Sequence, residues 1–120
     1  MENLITDKDK SNIWKIRTVK NYADAGNHII IGKVISCNTA FVRLNCRTYH
    51  FRKAAHTPMD IKVGEVMNRI IPWTRVEIIN ELNILFDYTK AKLVSASDVK
   101  VELSDGKFNY PLLSLYEKNY

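Results

Sequence analysis

The sequence predicts a mainly β protein: a small, strongly bent antiparallel barrel with an additional C-terminal β-hairpin. Six or seven short apolar runs follow one another at close spacing, which is typical of all-β barrels and sandwiches. Two turn signals, "SCNTA" at 36–40 and "SDGK" at 104–107, separate runs of β-forming residues. The length of 120 residues is enough for one modest core.

The chain divides into three predicted segments. Residues 1–12 are polar and are expected to form a flexible tail. Residues 13–83 would form the barrel, which starts within "IWKIRTVKNY" at 13–22 with a strand or, as the alternative, a short amphipathic helix. Residues 84–120 would be a C-terminal β extension that packs on or beside the barrel, with Asp105-Gly106 as the turn of its hairpin.

The clearest element is a hairpin over residues 28–53. With Asn38-Thr39 as a two-residue loop, apolar side chains share one strand face, and these are Ile31, Ile35, Cys37, Ala40, Val42, Leu44 and Cys46. The parity of the pattern then changes, because Tyr49 and Phe51 become the apolar pair. This change predicts a bulge or bend near residues 45–47, with Gly32 as the matching bend point on the first strand.

The stretch "NRIIPWTRVEII" at 68–79 is predicted to form two short strands with Pro72 in the turn between them, because proline cannot donate to a sheet ladder. In the second strand, Val76, Ile78 and Leu82 are expected to point one way. Trp73 has two interpretations. It fills the end of the barrel, which is favoured because large aromatic side chains are mostly buried, or it stacks a nucleic-acid base.

The net charge of +5 is concentrated in the middle of the chain. Residues 25–80 contain eight basic and three acidic side chains, and residues 25–59 contain no acid. Such a segment attracts phosphates or an acidic partner, although an ordinary solvated basic surface gives the same composition.

No enzyme or cofactor signature is present: the sequence lacks a glycine-rich phosphate loop, HExxH and G-x-S-x-G. We therefore expect a noncatalytic protein without a cofactor. Cys37, Cys46, His50 and His56 are possible zinc ligand types, but they include no C-x-x-C pair. We interpret them as reduced thiols and surface histidines and expect no metal site.

The segment "FVRLNCRTYHFRK" at 41–53 interleaves basic and aromatic side chains, as single-stranded nucleic-acid sites do. Alternation between the core and solvent faces of a strand produces the same pattern. The predicted nucleic-acid site uses a tryptophan for stacking and basic side chains for phosphates, and it comprises Arg43, Arg47, Arg52, Lys53, Arg69, Trp73 and Arg75.

The order of parts over residues 28–82 resembles the Sm-like small β-barrel, through "GKVISCNTAFVRL" for its first half and "RIIPWTRVEII" for its closing strands. The resemblance implies an Sm-like or SH3-like barrel, RNA binding and ring assembly through strand edges. The family's loop acid and loop asparagine fall on Cys37 and Phe41, and its Arg-Gly pair falls on Pro72-Trp73. None of the family's RNA-contact residues therefore carries over.

The function predicted from the sequence is noncatalytic binding of nucleic acid, RNA in particular, by the basic surface of residues 25–80. The alternative is a protein-interaction or assembly module that docks an acidic protein partner or forms a homo-oligomer through exposed strand edges. No apolar run is long enough to span a membrane, and the N-terminus lacks the features of a secretory signal. A cytoplasmic location and no membrane partner are therefore expected.

Overall fold

The computed structural model describes residues 11–20, 25–97 and 100–114. Strands dominate these residues, which confirms the predicted mainly β class, and the helical elements are two short 3-10 turns at Pro58–Asp60 and Trp73–Arg75. The strands are β1 Ile13–Thr18, β2 Asn27–Cys37, β3 Phe41–Phe51, β4 Ile61–Val63, β5 Met67–Pro72, β6 Val76–Glu81, β7 Lys92–Ser97, β8 Lys100–Ser104 and β9 Asn109–Ser114. Of the predicted tail, residues 1–10 lie outside the described residues. The main-chain oxygen of Asn12 accepts a hydrogen bond from Val34.

The first sheet contains six antiparallel strands in the order β4-β3-β2-β1-β6, and β5 also pairs with β3. A flat path from β5 through β3, β2 and β1 to β6 would span about 19 Å at normal strand spacing. The 3-10 turn Trp73–Arg75 alone joins β5 to β6, and a turn of this length advances only about 8 Å. The sheet must therefore curl strongly, as the sequence predicted.

An inner cluster of apolar side chains fills the concave side of this curl. Its buried members are Ile16, Ile30, Val42, Leu44 and Cys46. Gly32 lies opposite Cys46 in the β2–β3 ladder, and a Cβ added to it would lie 2.5 Å from the Cys46 Cα. Gly32 is therefore required by the close approach of the two strands.

The predicted hairpin is present, but its predicted register is wrong. Asn38 accepts hydrogen bonds from the main-chain N–H groups of Ala40 and Phe41, which makes a longer turn than the expected two-residue loop. Cys37 consequently faces Val42, and a bulge between Val34 and Ser36 shifts the ladder by one residue. Because of this shift, Ile35 is exposed and Ala40 lies in the exposed loop. Ile31 lies on the opposite face of the sheet from Val42, Leu44 and Cys46.

The change of apolar parity along β3 also has a different cause from the predicted bulge. The β2–β3 ladder runs without a register shift from Leu44 to Phe51. Both faces of β3 are buried instead: Val42, Leu44 and Cys46 belong to the inner cluster, and Tyr49 and Phe51 belong to a second cluster. On its outer edge β3 pairs with β5 over its first half and with β4 over its last three residues.

The second cluster, called here the shared cluster, lies between the two sheets. It joins Ile29, Ile31, Tyr49 and Phe51 of the first sheet to Val101 and Leu103 of β8 and to Leu112 of β9. The second sheet has the order β7-β8-β9, so the C-terminal extension is a three-stranded sheet rather than a hairpin alone. A turn is present where predicted, but it spans residues 105–108 and is closed by a hydrogen bond from the Asp105 N–H to the Phe108 oxygen; Gly106 has a φ of 95° that favours glycine.

Strand β6 also differs from its predicted pattern. Arg17 faces Ile78 and Thr18 faces Val76, which leaves a bulge at Glu77. Ile79 therefore joins Val76 against the inner cluster, and Ile78 is exposed. Pro72 is the last residue of β5 and precedes the 3-10 turn, as expected of a residue that cannot continue a ladder.

Candidate functional site

A cavity of about 560 Å³ lies where β3 ends and β4 begins. Its walls come from the start of β2, the end of β3, the segment that follows β3, and β4. The volume falls in the range of small-molecule sites. The residues that line it are Gly26, Asn27, His50, Phe51, Arg52, Ala54, Ala55, His56, Asp60 and Lys62.

The cavity combines basic side chains with apolar ones. Arg52 and Lys62 are exposed, and neither side chain has a hydrogen-bond or ion-pair partner among the described residues. Phe51 and Ala55 are buried. Such a lining is suited to a ligand that has both an apolar part and a negative charge.

Asp60, the acid in this lining, is held by its own turn. Its Oδ2 accepts hydrogen bonds from the main-chain N–H groups of His56 and Thr57 at 3.1 and 3.0 Å and from the Thr57 hydroxyl at 3.0 Å. These bonds lower the pKa of the carboxyl group below its ordinary value. The carboxylate therefore orders residues 56–60 at the edge of the cavity.

Two histidines stack beside the cavity, and one of them lines it. His28 on β2 and His50 on β3 are direct partners in the ladder. Their ring centroids are 4.0 Å apart, and the ring planes differ by 16°. On its other side His50 faces Lys62 of β4.

The charged groups that act on this histidine stack are basic. Burial is the main cause that lowers the pKa of His28 to about 4, and repulsion from His50 (when it is protonated) and from the positive charges of Arg75 and Arg69 contributes. Burial also lowers the pKa of His50, with contributions from Lys62 and Arg69. Both rings are therefore neutral at pH 7, in a setting that favours a bound anion.

Four of the predicted site residues lie near the cavity or the histidine stack. Arg52 lines the cavity, and the exposed Lys53 follows it. Arg69 and Arg75 act on the histidine stack. The Arg69 guanidinium also has a structural role, because it donates hydrogen bonds to the main-chain oxygens of Cys46 at 2.7 Å and of Glu65 at 3.0 Å.

Arg43, Arg47 and Trp73 do not line the cavity. Arg43 is exposed near the other end of β3, opposite Ser36 and Ile70. Arg47 is half-buried on the β3 face that Tyr49 shares, and its Nε atom is buried without a hydrogen-bond partner in the described part of the chain.

Trp73 is held in the 3-10 turn between β5 and β6. Its indole Nε1 donates to the main-chain oxygen of Asn38 at 2.6 Å, and its main-chain N–H donates to Ala40 at 3.1 Å. The ring packs against the inner cluster. These contacts correspond to the favoured sequence interpretation, in which Trp73 fills the end of the barrel.

The predicted site residues include neither His28 nor Lys62, although Lys62 belongs to the basic segment 25–80. His50 and His56 were considered as metal ligands, and His50 also as part of the basic and aromatic segment 41–53. The signal that could have found them is the ladder register, since the correct one places His50 between His28 and Lys62. Cys37 is exposed and Cys46 is buried. Among residues 11–20, 25–97 and 100–114, no three His, Cys, Asp or Glu side chains come together as a metal site would require.

Comparisons with protein-family models, curated proteins and solved structures found no match to this chain. In the described residues, no helix has the length and apolar character needed to cross a membrane.

Proposed function

We propose that this chain is a noncatalytic nucleic-acid-binding protein that binds a single strand, RNA in particular, through the basic surface around the histidine stack. The observation that carries the proposal is the sign of the charges at this site. Lys62 of β4 is the direct ladder partner of His50, and Arg52 lines the same cavity. Burial lowers the pKa of His28, and Arg75 of the 3-10 turn and Arg69 of β5 lower it further.

A polyanion would offset this mutual repulsion. Cations that converge from several strands raise the local potential and attract a phosphate backbone. Arg52 and Lys62 supply charges that have no partner among the described residues. Arg69, by contrast, supports the site by joining β5 to β3.

The experiment is a titration of a fluorescently labelled single-stranded RNA with the protein over a range of salt concentrations. The logarithm of the binding constant should fall linearly with the logarithm of the salt concentration. The double variant Arg52→Glu/Lys62→Glu should reduce the steepness of this line by about 1.4, which corresponds to two lost phosphate contacts on a single strand.

The matched control is Lys90→Glu/Lys107→Glu, which changes the net charge by the same amount at two other exposed lysines. It should leave the slope nearly unchanged. Absence of binding at low salt, a flat salt response, or equal effects of the two double variants would refute the proposal.

A second candidate is an assembly module, and the exposed side chains of β5 favour it. Within the described residues β5 pairs only with β3, and Met67 and Ile70 are 47% and 59% exposed. An open apolar strand edge can pair with a second copy of the chain. Sedimentation velocity tests this candidate: Ile70→Lys should dissociate an oligomer that the control Ile84→Lys retains, and a monomer at every concentration would exclude self-association.

A further inference from the structure

The cavity at the end of β3 has both an apolar lining, called here the floor, and exposed cationic side chains, called here the rim. The floor includes the exposed Ala54 and the buried Ala55, whereas the Phe51 side chain packs into the shared cluster on the other face of the sheet. Arg52 and Lys62 lie at the rim, and both are exposed. A phosphate ion alone would use only the rim, and an uncharged ring compound would use only the floor.

We propose that this cavity is a subsite for a single nucleotide, whose base packs against Ala54 and Ala55 while its phosphate lies between Arg52 and Lys62. The choice of a nucleotide among ring-bearing phosphates rests on the proposed function. The volume of about 560 Å³ is compatible with a ligand of this size.

The position of the acid in the lining fits this arrangement. Asp60 Oδ2 is engaged by the main chain of residues 56 and 57 and lies 3.7 Å from the His56 Nδ1. His50, in contrast, is the direct ladder partner of Lys62. The phosphate is therefore expected beside His50 and Lys62.

The test compares adenosine 5′-monophosphate, adenosine and inorganic phosphate as probes, with binding followed by calorimetry on the full chain. The nucleotide should bind about tenfold more tightly than either fragment, because only the nucleotide uses both the floor and the rim. Lys62→Gln should weaken the nucleotide and leave adenosine unchanged.

A cavity-filling variant makes the test specific to this place. Ala54 is exposed and lines the cavity, so Ala54→Phe should fill it without loss of folding and weaken the nucleotide about tenfold. Ala40→Phe is the matched control, since Ala40 is an exposed alanine in the β2–β3 loop.

The two proposals fail in different ways. If the nucleotide binds no more tightly than inorganic phosphate, or if Ala54→Phe has no effect, the subsite is refuted whether or not RNA binds. If the nucleotide results are as expected and the labelled RNA does not bind at low salt, the subsite stands and the proposed function is refuted.

Discussion

His28 and His50 stack across β2 and β3 with their ring centroids 4.0 Å apart. The stack is stable as long as both rings are neutral, because a proton on either ring would lie next to Arg69 and to Arg75 or Lys62. The pair therefore makes folding sensitive to acid, and the proposed RNA binding is expected to be sensitive to acid as well.

We expect the folded chain to lose stability as the pH falls from 6.5 to 4. Unfolded His28 takes up a proton near its ordinary pKa of 6.5, whereas folded His28 does so only near 4. The unfolded state thus binds more protons between pH 4 and 6.5, so the free energy of unfolding falls as the pH falls through this window. Above pH 6.5 the contribution of His28 to stability is fully retained. The loss assigned to His28 should be of order 2 kcal/mol after allowance for solvent screening.

Urea unfolding at pH 7.5 and pH 4.5 measures this loss. His28→Phe keeps an aromatic ring in the stack and removes the proton site, so the pH dependence should become shallower. His56→Gln is the control, because His56 lies outside the stack. An unchanged pH dependence in His28→Phe would show that other groups cause the acid sensitivity.

RNA affinity should rise as the pH falls from 8 to 6. The His50 pKa is lowered by burial and by Lys62 and Arg69, and a bound phosphate would raise it again. Binding is then coupled to proton uptake, which lower pH favours. An RNA without terminal phosphates should be used, because a terminal phosphate itself titrates near pH 6. In His50→Gln the pH dependence should decrease, and an affinity that rises with pH would contradict the coupling.

The indole bond of Trp73 should stabilise the fold without contributing to RNA binding. Trp73→Phe loses the hydrogen bond to Asn38 O and keeps most of the ring packing, so the free energy of unfolding should fall by about 1 kcal/mol. Trp14→Phe is the matched control, because Trp14 Nε1 donates to the main-chain oxygen of Ser11. A loss of RNA affinity confined to Trp73→Phe would instead place Trp73 in the interface.

Arg69→Gln should destabilise the fold by about 2 kcal/mol. The substitution removes charged hydrogen bonds to the main-chain oxygens of Cys46 and Glu65. Arg43→Gln is the control with the same change of charge at an exposed position, and it should have little effect. Chemical denaturation of both variants makes the comparison, and equal stabilities would show that the Arg69 bonds contribute nothing measurable.

Replacing Gly32 by alanine should prevent normal folding or cost about 3 kcal/mol. The added Cβ would meet the backbone of Asn45 and Cys46, which cannot move without breaking the ladder. Gly26→Ala is the control, because the Cβ added there would have more room: its nearest neighbour is the main-chain oxygen of Phe51 at 3.3 Å. Thermal unfolding distinguishes the two, and a stable Gly32→Ala protein would contradict the close approach.

The local sequence pattern predicted the strands and turns well, but it failed where pairing between strands decides the register of a ladder. Asn38 and Gly106 marked their turns because the side chain of one and the backbone of the other suit turn geometry. The bulge at Ile35 has no marker residue, and it alters every pairing towards the start of β2. The predicted pairing did not extend past the bend at residues 45–47 to His28 and His50, so the histidine stack could not be foreseen.

The shared cluster has a consequence during synthesis. Residues 13–82 supply the first-sheet side of that cluster, but Val101, Leu103 and Leu112 follow later in the chain. At about 5–20 residues per second, the ribosome needs roughly 2–6 s to make residues 83–112, which separate the two sides of the cluster. During that interval Ile29, Ile31, Tyr49 and Phe51 lack their covering sheet, so the nascent chain presents an apolar surface that a chaperone can hold until β8 and β9 emerge.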